Sequence, residues 1–409
     1  MRVLLAPDSF GGSLTAAEAA TAIAEGWRRS VPDDTTVLLP LADGGTGFVE
    51  VLHTARGGTR HDVEVTGPLG ERTTATWLEL DGPGDRDQRS TPIGERSSTT
   101  STAYVESASA CGLHLVGGRT PATAATATSR GVGELVAAAA AAGPRSIVVG
   151  LGGSACTDGG AGMLAALGAV PRDADGAALA DGGGPLAAVA RLDGLDDVLA
   201  RLAGVELVVA ADVDHVLTGP EGAAAVFGPQ KGADEETVAA LDTALTTWGA
   251  VLGEACGQPD LASRPGAGAA GGLGAAIAAP GARRVPGGEL VRDIAGLDEA
   301  IGRAHLVVTG EGALDGQSLH GKLVSVVAAR AREHGVPCIA LAGQVHLGGN
   351  QALEAGLEGT YSVAADAGSV EAALAEPAAR LADLAAGVAQ HWGARPPGDG
   401  ASGAARRQG

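Results

Sequence analysis

Arg2-Val3-Leu4-Leu5-Ala6-Pro7-Asp8-Ser9-Phe10-Gly11-Gly12-Ser13 is a short apolar run that breaks on an acid, two hydroxyls and two glycines. The run Arg2–Pro7 predicts a buried strand, residues 8–13 a loop, and residues 14–31 a helix. Thr15 and Glu18 have capping-box spacing, and Ala16, Ala20, Ile23 and Trp27 recur on one helical face. A second apolar run at residues 36–41 completes a βαβ unit, and residues 42–47 form the next loop.

The same alternation returns at the far end of the chain. Residues 305–309 and Cys338–Ala342 predict strands, with a helix at 322–335 between them. Further strands are expected at 63–65, 74–80, Ser146–Gly150 and 206–211. Helices are expected at 131–142, Ala161–Leu167, 235–256 and 370–392. Strands alternating with helices imply an α/β fold with a largely parallel sheet. Asp8, Asp43, Asp212 and Glu311 each follow a strand. Ligands bind beyond the carboxyl ends of strands in open parallel sheets, although a lone Asp there more often caps the next helix. Residues 81–102 are rich in Gly, Pro and Ser without periodicity and are expected to be a disordered loop; residues 393–409 are expected to be a disordered tail.

Composition narrows the classes. The 409 residues are enough for two domains, and with 45% apolar but only 2% aromatic residues the core must be built from Ala, Val and Leu. A net charge of -20 argues against nucleic-acid or membrane partners, which call for clustered cations. The start carries no basic, apolar signal segment and no run reaches membrane-spanning length, so a cytoplasmic location is expected. The four cysteines form no CxxC and read as reduced thiols. Of 28 basic residues only Lys231 and Lys322 are lysines, and both lie in glycine-flanked segments. That hints at sites needing a compact ammonium rather than a planar fork.

Four loops could carry chemistry. Residues 6–13 hold glycines and hydroxyls before a helix N-terminus, a natural cradle for an anion. Ala42-Asp43-Gly44-Gly45-Thr46-Gly47 lets backbone N–H groups approach a ligand beside a carboxylate. Residues 150–160, Gly-Leu-Gly-Gly-Ser-Ala-Cys-Thr-Asp-Gly-Gly, make a strand-to-helix turn suited to phosphate oxygens or a metal-bridged nucleotide. Thr309-Gly310-Glu311-Gly312 precedes Asp315-Gly316-Gln317-Ser318-Leu319-His320-Gly321-Lys322. That last stretch has GxxxxGK spacing, but Leu323 stands where a P-loop carries Ser or Thr, so it is not a P-loop. The GxGxxG at residues 266–271 has no clear strand before it and reads as a flexible loop feeding an Ala-rich helix. No metal-ligand spacing occurs among the nine histidines.

Together these segments resemble the bacterial glycerate kinases of the single-chain, two-domain family. The resemblance runs in order through Ala6-Pro7-Asp8-Ser9-Phe10, Ala42-Asp43-Gly44-Gly45, Gly131-Val132-Gly133-Glu134-Leu135, Gly152-Gly153-Ser154-Ala155 and Asp158-Gly159-Gly160-Ala161-Gly162-Met163. It continues through residues 222–233 and 268–274, Thr309-Gly310-Glu311-Gly312, Leu314-Asp315-Gly316-Gln317 and His320-Gly321-Lys322. It implies transfer of the γ-phosphoryl of ATP to a hydroxyl of D-glycerate with Mg²⁺, giving 2-phosphoglycerate. It also implies a flavodoxin-like, Rossmann-like parallel-sheet domain built from both chain ends (residues 1–64 and 290–392). An inserted α/β domain (65–289) follows from it, with the active site in the cleft and a monomer or homodimer as the working form.

On that resemblance, Gly152, Gly153, Ser154, Thr157, Lys231, Gly310 and Glu311 are expected to bind the nucleotide. Asp8, Ser9, Ser13, Gly44, Gly45 and Arg130 are expected to bind glycerate. Asp43, Asp158, Asp315 and Lys322 form the catalytic set, and Asp43 and Asp158 are the Mg²⁺ ligands. Sequence does not separate base from metal ligand among these acids, because both roles need a carboxylate at a strand end. Three features depart from the family pattern: Gly11 in place of a lysine, Asp214-His215-Val216 in place of Asp-Asn-Pro, and the length of the 81–102 segment. The competing readings are an NAD(P)-dependent oxidoreductase of a small hydroxy acid and a catalytically degenerate binding homologue.

Overall fold

The computed structural model describes residues 1–81, 101–319 and 323–393. The loop expected over 81–102 and the tail expected over 393–409 lie almost wholly outside the described residues. In chain order the strands are β1 (Arg2–Pro7), β2 (Thr35–Leu38), β3 (Thr59–Thr66), β4 (Arg72–Leu80), β5 (Thr102–Glu106) and β6 (Ser146–Gly150). Then come β7 (Val170–Arg172), β8 (Arg191–Asp193), β9 (Glu206–Ala210), β10 (Arg283–Val285) and β11 (Leu306–Gly310). The last are β12 (Ala313–Leu314), β13 (Cys338–Ala342), β14 (Gln344–Val345) and β15 (Gly359–Ser362). The chain divides into two compact units. One comprises Met1–Ala42, Glu50–Ala55 and the residues from Val291 on, the other Asp43–Val49 and Arg56–Leu290.

The first unit is built on a five-stranded sheet in the order β15-β13-β11-β1-β2, parallel throughout. Renumbered within the sheet this is the flavodoxin-like order, with the topological switch point between β1 and β11. Pro7 pairs with Gly310 in register, so the loops opened by Asp8 and Glu311 leave the sheet side by side. The helix Ala16–Ser30 forms as its pattern predicts, with the reciprocal capping box between Thr15 and Glu18. It packs on the helix Pro377–Trp392 so closely that a Cβ added at Gly26 would lie 2.0 Å from the Ala382 carbonyl oxygen. Backbone-to-backbone packing of this kind suits an aromatic-poor core. The single helix expected over 370–392 is in fact two, Val370–Ala375 and Pro377–Trp392. Pro377 drives Glu376 out of the helical region and starts a new first turn.

The second unit is built on a six-stranded sheet in the order β10-β9-β6-β5-β4-β3. Strands β10 to β5 are parallel and β5-β4-β3 antiparallel. β5 is almost wholly buried but does not stand out in the sequence, because only Ala103, Tyr104 and Val105 of its five residues are apolar. Residues 266–268 are a turn that feeds the Ala-rich helix Ala269–Ala278, as the sequence suggests, but the turn is buried. Half-buried Ala270 and buried Gly271 and Gly272 form a left-handed kink against the core, and a Cβ at Gly271 would sit 1.9 Å from the Cys156 carbonyl oxygen. Ala, Val and Leu dominate both cores, with Trp27 and Trp248 fully buried. Among the described residues no helix is long and apolar enough to cross a membrane.

Candidate active site

In the second unit the carboxyl ends of β6 and β9 face the loop 43–47. A Cβ at Gly44 would lie 3.0 Å from the Ala210 carbonyl oxygen, and one at Gly152 would lie 2.6 Å from the Gly45 Cα. Small residues are therefore needed on both sides of this approach. The carboxylate of Asp43 accepts from the Gly45 N–H at 3.1 Å and remains exposed. Glu106, buried at the end of β5, holds the far side of the loop by accepting from Gly47 N at 3.1 Å and Val49 N at 3.2 Å.

Asp212, just beyond β9, joins the same cluster. Its carboxylate accepts from Gly288 N at 2.9 Å, while the carbonyl of Asp43 lies against Gly287. The pKa of Asp212 is pushed up to about 6 by the surrounding protein, and the Asp43 carboxylate adds to the rise. Sequence reading noted Asp212 as an acid after a strand but left it out of the site. The missing signal was its company, because Asp43 is far away in sequence. Thr46 was missed as well. Its exposed hydroxyl stands where a Cβ at Gly153 would come within 2.6 Å.

The loop after β6 has an open side and a closed side. Gly153, in the left-handed region at φ +64°, is exposed and Gly152 half-buried, whereas Ser154 and Thr157 are buried. Behind them lies Lys231, 3% exposed. Its ammonium donates to the Cys156 carbonyl oxygen at 2.6 Å, with Ser154 Oγ and Thr157 Oγ1 each at 3.4 Å. Burial lowers the pKa of Lys231, and the neighbouring Cys156, Cys111 and Asp158 pull against that shift.

Asp158 is 0% exposed and its carboxylate is fully engaged. One oxygen accepts from Ser129 N and Ser129 Oγ, both at 2.8 Å, and from Gly162 N at 3.2 Å; the other accepts from Gly160 N at 3.1 Å. Burial nonetheless raises its pKa. Arg130 is held by Asp181 through Nε at 2.5 Å and Nη2 at 2.8 Å, a bidentate pair that takes up one edge of the guanidinium.

In the first unit Asp8 N donates to the Gly310 carbonyl at 2.8 Å, and the Asp8 carboxylate accepts from Ser9 N at 2.6 Å. Ser13 Oγ turns back onto the Phe10 carbonyl at 2.6 Å, which closes the loop around the buried Phe10 ring. A Cβ at Gly310 would meet the Leu341 carbonyl oxygen at 2.0 Å, so this strand end admits only glycine. Glu311 is buried, and Asp315 and Ser318 bond reciprocally, Ser318 N to the carboxylate at 3.2 Å and Asp315 N to the hydroxyl at 3.1 Å. Asp8, Ser9, Ser13, Glu311 and Asp315 thus lie on loops of the first unit, and Gly310 at the end of β11; Asp43, Gly44, Gly45, Arg130, Gly152, Gly153, Ser154, Thr157, Asp158 and Lys231 lie in the second. Lys322 is outside the described residues.

A model of the glycerate kinase family matches residues 3–393. An uncharacterized protein of Mycobacterium bovis is 46% identical over 394 residues, covering 96% of this chain and 92% of that one. The glycerate 2-kinase of Escherichia coli is 40% identical over 376 residues, 91% of this chain and 93% of that protein. A crystal structure assigned as glycerate kinase 2 of Salmonella typhimurium superposes at a TM-score of 0.72 with 40% identity, over 96% of this chain and 98% of that one. With the family's model matched across nearly the whole sequence, this chain belongs to the glycerate kinase family.

Proposed function

We propose that this chain is an ATP-dependent phosphotransferase with an alcohol group as acceptor, converting D-glycerate to 2-phosphoglycerate. The observation that carries the reading is the meeting of Asp43 and Asp212 around Gly287 and Gly288, beside the glycine-lined approach of residues 43–47 to Gly152. Phosphoryl transfer asks for positioning and charge neutralisation more than for covalent chemistry. The name of the E. coli relative supports the 2-phosphate product.

The donor set fits Mg²⁺, which takes one or two carboxylates, keeps several waters and relies on substrate phosphates for the rest. Asp43 offers such an oxygen, whereas the carboxylate of Asp158 is taken up by Ser129, Gly160 and Gly162. When bound, the ion neutralises phosphate charge. Gly152 and Gly153 present backbone to the phosphates, with Ser154 and Thr157 fixing the loop from behind. Asp212, ionised above about pH 6, accepts the proton of the attacking hydroxyl. Gly44 and Gly45 give glycerate access to the same loop. In the first unit Asp8, Ser9 and Ser13 contribute to glycerate binding, Gly310 and Glu311 to nucleotide binding, and Asp315 to orienting a hydroxyl. Lys322 supplies a point charge to phosphate. The setting is cytoplasmic.

A coupled assay of ADP release with D-glycerate and Mg-ATP tests the reading. Glycerate-dependent turnover is the expected result, with the product identified as the 2-phosphate by NMR. Folded protein that releases no ADP on adding glycerate would overturn it.

A further inference from the structure

Lys231 is placed with unusual care. It ends the short helical turn Pro229–Lys231, and Gly232 follows at φ +98°, where an added Cβ would lie 2.4 Å from the carbonyl carbon of Arg119. The backbone is fixed, and the side chain runs inward until 3% of the residue is exposed. An ammonium has three donors. Here they face three neutral oxygens of one loop: the Cys156 carbonyl and the hydroxyls of Ser154 and Thr157. The short bond to the Cys156 carbonyl at 2.6 Å turns the ammonium into the loop and away from solvent. No carboxylate among the described residues forms an ion pair with it, and the nearby Asp158 is engaged by Ser129, Gly160 and Gly162.

A loop that only needed tying down would be served by a neutral donor, because burying an uncompensated charge is costly. We propose that Lys231 is a positioning residue for phosphate. It never touches the nucleotide, yet its charge acts through the peptide groups and hydroxyls of residues 154–157 on an anion held at the exposed Gly152-Gly153 side. Donation into the Cys156 carbonyl polarises the peptide that follows, and chained hydrogen bonds strengthen one another. In a low-dielectric surround one fixed charge behind the loop favours a polyanion over a neutral ligand. A lysine rather than an arginine stands here because a compact ammonium meets three divergent acceptors that a planar fork would not reach. The inference rests on the reading of residues 152–157 as the phosphate loop.

The test compares binding of AMP, ADP and ATP to the wild type, Lys231→Met and Lys231→Gln, by calorimetry at one ionic strength, with steady-state kinetics beside it. ADP and ATP should weaken by about tenfold or more in both variants, with AMP and the KM for glycerate changed by no more than about twofold. Gln keeps a donor for the Cys156 carbonyl, so it should recover much of any melting temperature that Met loses without recovering ATP affinity. It also covers the case in which the Met variant does not fold. ATP affinity restored by Gln, or ADP and ATP affinities unchanged in either folded variant, would overturn the proposal. Gly153→Val separates this from the underlying reading. If it weakens ATP while the Lys231 variants do not, only the role of Lys231 fails; if it too leaves ATP binding unchanged, the phosphate loop itself is elsewhere.

Discussion

Asp158 takes both the backbone N–H and the hydroxyl of Ser129 on a single carboxylate oxygen, each at 2.8 Å, in a fully buried setting. Two further N–H groups, from Gly160 and Gly162, complete its shell. An acid so occupied organises the turn into the helix Ala161–Leu167. Asp158→Asn puts an amide donor among these donors, and should cost about 3 kcal/mol or more of stability by urea unfolding. Unchanged stability with lost kcat would instead put Asp158 in the chemistry.

Asp212 sets a pH dependence. Its folded pKa, about 6, lies above the unfolded value of 3.8, so the folded state binds the proton more tightly. The contribution to stability is present below the unfolded pKa and is lost as pH rises through the folded one. Asp212→Asn should therefore flatten the fall in stability between about pH 4 and about pH 6. If Asp212 is the base, kcat/KM in the wild type falls as pH drops through about 6, and the variant loses that limb together with most of its activity. A limb that persists in Asp212→Asn would assign the base elsewhere.

Arg130 and Asp181 form a half-buried bidentate pair. With its fork committed, Arg130→Ala should lower stability by about 1 kcal/mol and leave the KM for glycerate within about twofold. A rise of tenfold or so in that KM, with little change in melting temperature, would return Arg130 to the substrate site.

Lys322 is the second lysine of the chain and follows Gly321 in the segment after Asp315. Lys322→Ala should reduce kcat/KM by about tenfold or more, the scale of one lost charge-assisted contact. Unaltered kinetics would remove it from the site.

Three of the four thiols should be inert in the native protein, the half-buried Cys256 being the exception. Cys111, Cys156 and Cys338 are buried; the hydrogen bond with Cys111, and then burial, raise the pKa of Cys156, while burial raises that of Cys338. An aromatic disulfide reagent at neutral pH should titrate no more than about one thiol, Cys256, until the chain is unfolded. Fast native reaction of two or more would contradict this packing.

The strand, loop and helix at the start were legible because each rests on local rules: an apolar run, a capping box and a 3.6-residue stripe. The acids after strands were legible for the same reason. What sequence left open was which of them work together. Asp43 and Asp158 looked equivalent, each an acid in a glycine loop. Their environments differ because one stays exposed at a loop tip and the other is drawn into a shell of N–H groups. Asp212 went unchosen because the groups it works beside, Asp43 and Gly288, are remote in sequence.

Sequence by itself determined the α/β alternation, the ordered series of glycine loops and the family they belong to, since these depend on short-range pattern and residue type. Tertiary structure alone decided the state of each charged group. Burial and hydrogen-bond saturation come from residues dozens of positions away: Ser129 on Asp158, Gly288 on Asp212, and residues 154–157 on Lys231. Whether a carboxylate or an ammonium is free to act depends on what the fold brings against it, and that information is not local.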